Sequence, residues 1–132
     1  MSTAQMRTGR CLCGGVAFSV TGRLRQVVNC HCERCRRFTG HHLAATAAAL
    51  EDVRIEDPTQ ALTWYPVEGA EYGFCRTCGS SLFWRAESSP DRLSICAGCL
   101  EPPTGLGTIE AWWVSQASDY FIRPDLPEHL TE

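Results

Sequence analysis

The chain has 132 residues, 44% of them hydrophobic, with twelve basic and fifteen acidic side chains and a formal net charge of −3. That size fits one domain spanning 1-132 that buries roughly two-thirds of its unfolded surface, and the small net charge speaks against nucleic acid or a membrane surface as partner. No apolar run approaches the ~20 residues of a membrane span, and residues 1–10 lack the apolar stretch of a secretory signal, so a reducing cytoplasmic location is expected. All twelve basic residues are arginine, which excludes Schiff-base chemistry at a lysine.

In chain order, residues 15–21 place Val16, Phe18 and Val20 on one face and read as a half-buried strand between glycine turns. Val27-Val28 opens a second strand that delivers Cys30 and Cys32. Residues 33–39 read as a helical turn closing at Gly40. Residues 42–50 are rich in alanine and helical by propensity, but their shortness and their place between cysteine motifs favour a strand. Residues 61–66, 81–85, 93–97 and 109–114 read as further strands, and the prolines at 102–103 and 124–127 break the chain. The expected fold is mainly β in a single domain.

Nine cysteines dominate the chemistry, and in a reducing compartment they point to metal rather than disulfides. Cys11 and Cys13 precede Gly14, and Cys75 and Cys78 precede Gly79. Glycine lets the backbone turn so that amides face the thiolates. We assign these four sulfurs to one closed, structural zinc, whose apparent binding free energy in small peptides is of order 10 kcal/mol. Cys30, Cys32 and Cys35 remain as a compact triad. On an extended strand, residues i and i+2 face the same side, so Cys30 and Cys32 can address one metal, with Cys35 returning from the following turn. Three thiolates leave a fourth position for water or a substrate thiol, the arrangement of a catalytic or labile zinc.

Three segments, Gly9-Arg10-Cys11-Leu12-Cys13-Gly14-Gly15-Val16, Cys30-His31-Cys32-Glu33-Arg34-Cys35-Arg36 with Thr39-Gly40, and Phe74-Cys75-Arg76-Thr77-Cys78-Gly79-Ser80, resemble the glutathione-dependent formaldehyde-activating enzymes, a family that includes centromere protein V relatives. The resemblance spans nearly the whole chain and extends weakly to residues 120–127. It implies a mainly β fold of small folded antiparallel sheets clamped by zinc knuckles, the same four structural ligands, and a catalytic role for the Cys30, Cys32 and Cys35 metal. It also implies glutathione as co-substrate, and formaldehyde or another small aldehyde as the second partner. The implied activity is that of a carbon–sulfur lyase forming S-hydroxymethylglutathione.

The two carboxylates of glutathione call for arginine, and Arg36 and Arg37, in a basic run with Arg34, lie nearest the triad in sequence. Strand alternation turns His31 away from the metal into a packing or supporting role. His41 and His42 are candidates for moving the hydroxymethyl proton, or are ordinary surface histidines. Trp64, Tyr65, Trp84, Trp112 and Trp113 are core or edge aromatics, one of which can wall a pocket. Cys96 and Cys99 depart from the family pattern and read as packing thiols, a further knuckle, or a redox pair. Two other functions stay open on these residues: a non-enzymatic zinc module that binds glutathione or a protein, and a thiol reductase with Cys96 as nucleophile and Cys99 as resolving thiol.

Overall fold

The computed structural model describes residues 6–132. In chain order the elements are β1 (Arg7–Arg10), β2 (Ala17–Val20), β3 (Val27–Cys30), α1 (Glu33–Thr39), β4 (Leu43–Ala49), β5 (Val53–Glu56), β6 (Leu62–Val67), β7 (Ala70–Cys75), β8 (Ser81–Ala86), β9 (Arg92–Cys96) and β10 (Thr108–Trp112). A three-stranded sheet runs β1-β2-β5, and a seven-stranded sheet runs β10-β3-β4-β9-β8-β7-β6. The mainly β expectation holds. The large sheet departs from a purely antiparallel one at its edge, where β10 pairs with β3 in parallel. Strands β1, β5 and β7 carry no strong alternation and are not anticipated from the sequence. They form because a neighbour's ladder supplies their partners, as β2 does for both β1 and β5.

The alanine-rich segment is a strand, pinned between β3 and β9 with Val28 opposite Ala45 and Ala47 opposite Ser94. Two ladders outweigh a helix preference that is worth only tenths of a kcal/mol per residue. The small side chains also matter for shape. Ala48 packs into the main core with Val16, Phe18, Val20, Phe83, Leu93 and Ile95, whereas Ala45, on the opposite face, forms part of the floor of a cavity. The two faces of the large sheet thus do different jobs. One is sealed against β2, where Phe18 meets Phe83 edge-on at 5.3 Å. The other carries a row of register partners, Ser94, Trp84 and Tyr72, and opens to the cavity.

Candidate metal and thiol site

The first cysteine group assembles from two turns. Gly14 and Gly79 adopt φ values of 81° and 79°, left-handed conformations that favour glycine. The turns aim backbone amides at sulfur: Val16 N–H donates to Cys11 Sγ at 3.3 Å and Gly15 N–H to Cys13 Sγ at 3.4 Å. Ser80 joins the two turns, accepting from Leu12 N–H at 2.9 Å through Oγ and lying 3.1 Å from Cys78 Sγ. The Ser80 hydroxyl, helped by backbone N–H groups, draws the Cys78 thiol down to about 5. The four sulfurs of Cys11, Cys13, Cys75 and Cys78 all lie within 4.8 Å of one another. The Cys11–Cys13 and Cys13–Cys75 separations of 3.6 and 3.8 Å match the edge of about 3.8 Å that a tetrahedron with Zn–S near 2.3 Å requires. The residues therefore fit a four-thiolate zinc ion.

The second group is Cys30, Cys32 and Cys35, again with sulfurs within 4.8 Å. Its local structure differs from the expected one. Strand β3 ends at Cys30, and Cys32 is not a strand residue but the N-cap of α1. Its sulfur accepts the Cys35 N–H at 3.4 Å, an orphan donor of the first helical turn. The cap, not strand alternation, therefore brings Cys32 and Cys35 together. The Cys30 and Cys35 thiols, with the backbone N–H groups of Cys35 and Arg34, pull Cys32 down to about 2. Cys35 is buried, and its Sγ sits 3.1 Å from the Tyr72 hydroxyl. Tyr72 is 2% exposed and packs at a tilt against Phe38 of the helix, ring centroids 4.5 Å apart. It is the residue that sequence reasoning missed. The glycine that follows it breaks the strand pattern of residues 70–75, and its contact with Cys35 links positions far apart in the chain. Among the described residues no fourth side chain joins this cluster.

The triad lies in the wall of a cavity of about 400 Å³, together with Trp84, Trp112, Trp113 and Tyr72. Trp113 closes the end of β10 in a left-handed conformation, φ 58°, a backbone cost of roughly 1–2 kcal/mol for a residue other than glycine. Arg36 and Arg37 are not among the cavity-lining residues. Arg37 pairs with Glu33 at 2.9 Å on the exposed side of the helix, and Arg36 Nε is buried without a partner. The arginines in the cavity wall are instead Arg25, Arg34, Arg85 and Arg92. Trp64 lies beneath the Arg85 guanidinium at 3.7 Å, and Tyr65 is exposed.

The three histidines gather outside the cavity. His31 is 3% exposed and packs on His42 and Phe121 at 5.0 and 4.6 Å. His41 Nδ1 lies 2.6 Å from the Tyr120 hydroxyl. Burial, then the nearby His41 and His31, holds His42 down to about 4. Cys96 and Cys99 separate: Cys96 packs beside the triad's cluster and Cys99 against the main core. Cys99 Sγ donates to Ser81 O at 3.2 Å. Burial raises both thiols, Cys99 to about 11, the reverse of what a nucleophilic cysteine needs.

Fold and site together define a mainly β, cysteine-rich domain with two places for a thiolate-bound metal, one closed and one facing a cavity. Residues 6–116 match the family described as glutathione-dependent formaldehyde-activating enzyme, and the chain belongs to that family. It is also similar to the crystal structure of a Rhodobacter sphaeroides protein, with 30% identity and a TM-score of 0.61 over 76% of this chain and 97% of that one. No curated protein matches the sequence.

Proposed function

We propose that the chain catalyses addition of glutathione to formaldehyde or another small aldehyde, a carbon–sulfur lyase reaction run toward S-hydroxymethylglutathione. The observation that carries this reading is the triad of Cys30, Cys32 and Cys35, with no fourth ligand among the described residues, placed in the wall of a cavity large enough for a small peptide. In the reaction a sulfur–carbon bond forms, the carbonyl π bond breaks, and the proton leaving the thiol ends on the new hydroxyl. A zinc ion held by the three sulfurs would supply the positive charge that keeps an incoming thiol deprotonated at neutral pH.

The remaining contributions come from the chain itself. The N-cap geometry of Cys32 and the Tyr72 hydroxyl fix two of the three sulfurs before any substrate arrives. The tryptophans of the wall exclude water from the thiol. Arginine in the wall offsets the net negative charge that three thiolates and one zinc carry. It also offers bidentate contacts to carboxylates. Nine unpaired thiols suit a reducing compartment, and we assign the protein to the cytoplasm on that basis.

The test is the rate of S-hydroxymethylglutathione formation, followed by exchange NMR with the metal-loaded protein. The expected result is a rate above the spontaneous one that Cys32→Ser abolishes while the thermal unfolding transition persists. A protein that leaves the spontaneous rate unchanged with the second site loaded is instead a binding module.

A further inference from the structure

The charged groups in the cavity wall are Arg25, Arg34, Arg85, Arg92, Glu33 and Glu132. Some have partners. Arg85 pairs with Glu71 at 2.7 Å, Arg34 Nη1 donates to Glu68 O at 3.0 Å, and Glu33 pairs with Arg37. Arg25, Arg92 and Glu132 make no ion pair among the described residues. Burial and then the Arg92 charge hold the Arg25 guanidinium below its usual range, with Glu110 and Glu132 offsetting part of the effect.

Arg25 is fixed in place. Its Nη2 donates to Ala45 O at 3.0 Å, its carbonyl accepts from the Thr46 hydroxyl, and its guanidinium lies 5.3 Å over the Trp112 ring. The guanidinium therefore sits at the level of Ala45. Cys30 is paired with Leu43, two residues along the same strand, which is about 7 Å at the rise of a β-strand. Arg92, Ser94 and Cys96 alternate toward one face of β9, while Leu93 and Ile95 enter the core. On the adjoining strand, Trp84 is the register partner of Ser94. Its indole N–H is buried, has no hydrogen-bond partner, and belongs to a cavity-lining residue. Two cavity-lining arginines without an ion-pair partner constitute a site for an anion.

We propose that Arg25 and Arg92 form an anion subsite that receives a carboxylate of the thiol substrate and so selects acidic peptide thiols over neutral ones. The proposal rests on the reading of the triad as the thiol site. It replaces Arg36 and Arg37, which lie off the cavity, as the groups that recognise the peptide. The Arg25 guanidinium lies about two strand residues from Cys30, and Arg92, opposite Ala49, extends the subsite away from the triad.

Calorimetry on the metal-loaded protein tests it with S-methylglutathione and its dimethyl ester, which share a skeleton and differ in their carboxylates. Neither has a free thiol, so binding is read apart from turnover. The wild type is expected to favour the acid over the ester by at least ~10-fold, and Arg92→Ala to lose ~10- to 100-fold in affinity for the acid alone, as for a charge-assisted hydrogen bond. Arg92 is exposed, so its truncation removes no core packing. Equal affinity of Arg92→Ala and wild type for the acid, or equal affinity of the wild type for acid and ester, overturns the subsite. If the wild type shows the preference yet does not accelerate adduct formation, the lyase reading fails and the subsite stands.

Discussion

The two cysteine groups are built from the same side chain in opposite ways. Cys11, Cys13, Cys75 and Cys78 join segments more than sixty residues apart. Cys11 and Cys75 are buried, and both belong to the main core. Cys30, Cys32 and Cys35 come from one strand end and one helix start, on the sheet face that the main core does not use. A metal at the first group closes a long loop and ties the small sheet to the large one. At the second it closes a loop of six residues that the β3 ladder and the helix cap already constrain. Loop-closure entropy grows with the length closed. We therefore propose that a metal at the first site is coupled to folding and that one at the second is free to exchange a ligand.

The sharpest way to break this contrast is Cys75→Ser beside Cys35→Ser. The first is expected to yield unfolded or insoluble protein, because it removes a metal whose binding is worth of order 10 kcal/mol in small zinc peptides. The second should keep a cooperative melt and lose one zinc per chain, read by metal analysis together with circular dichroism. Mild chelation should separate the same two populations. Simultaneous loss of both metals and of the fold would erase the distinction between the sites.

A smaller effect is expected at Tyr72. Its hydroxyl touches Cys35 Sγ at 3.1 Å, and groups that orient metal ligands are commonly worth 10- to 100-fold in affinity. Tyr72→Phe should weaken cobalt or zinc binding at the second site by about 10-fold and shift the sulfur-to-cobalt charge-transfer bands. The first site should be untouched. Unaltered bands and affinity would mean that the hydroxyl contact does not tune the sulfur.

The smallest expected effect is electrostatic and lies outside both metal groups. His42 is held to about 4 in the folded protein against 6.5 in the free residue, by burial first and then by His41 and His31. A depressed folded value means that the unfolded chain binds more protons between those limits. The stability contribution is then complete above about pH 6.5 and is lost as the pH falls toward 4. His42 Nδ1 is also buried without a partner. Relative to wild type, His42→Phe should be close to neutral at about pH 7.5 and stabilising at about pH 5, by of order 1 kcal/mol after allowing for partial exposure. Denaturant titrations at the two values check it, and a gap that does not change with pH would remove the histidine stack from the acid response.

The sequence by itself determined the composition of both cysteine groups, the strand around Phe18, the helix ending at Gly40, and the family. These are legible because they depend on short spacings, glycine turns and alternation, all of which a linear reading preserves. The alanine segment needed its two neighbours, since propensity favours a helix and only the ladders to β3 and β9 decide against it. Strands β1, β5 and β7 have no signal of their own for the same reason. Cys32 acts as a helix cap rather than a strand residue because the unsatisfied amides of a helix start are a property of the folded turn. Tyr72 at Cys35, the gathering of His31, His42 and Phe121, and the placement of Arg25 and Arg92 in one cavity lining join residues far apart in the chain. Proximity along the chain pointed instead to Arg36 and Arg37. The helix carries Arg37 away to pair with Glu33, leaves Arg36 outside the cavity lining, and the sheet brings other arginines to the cavity.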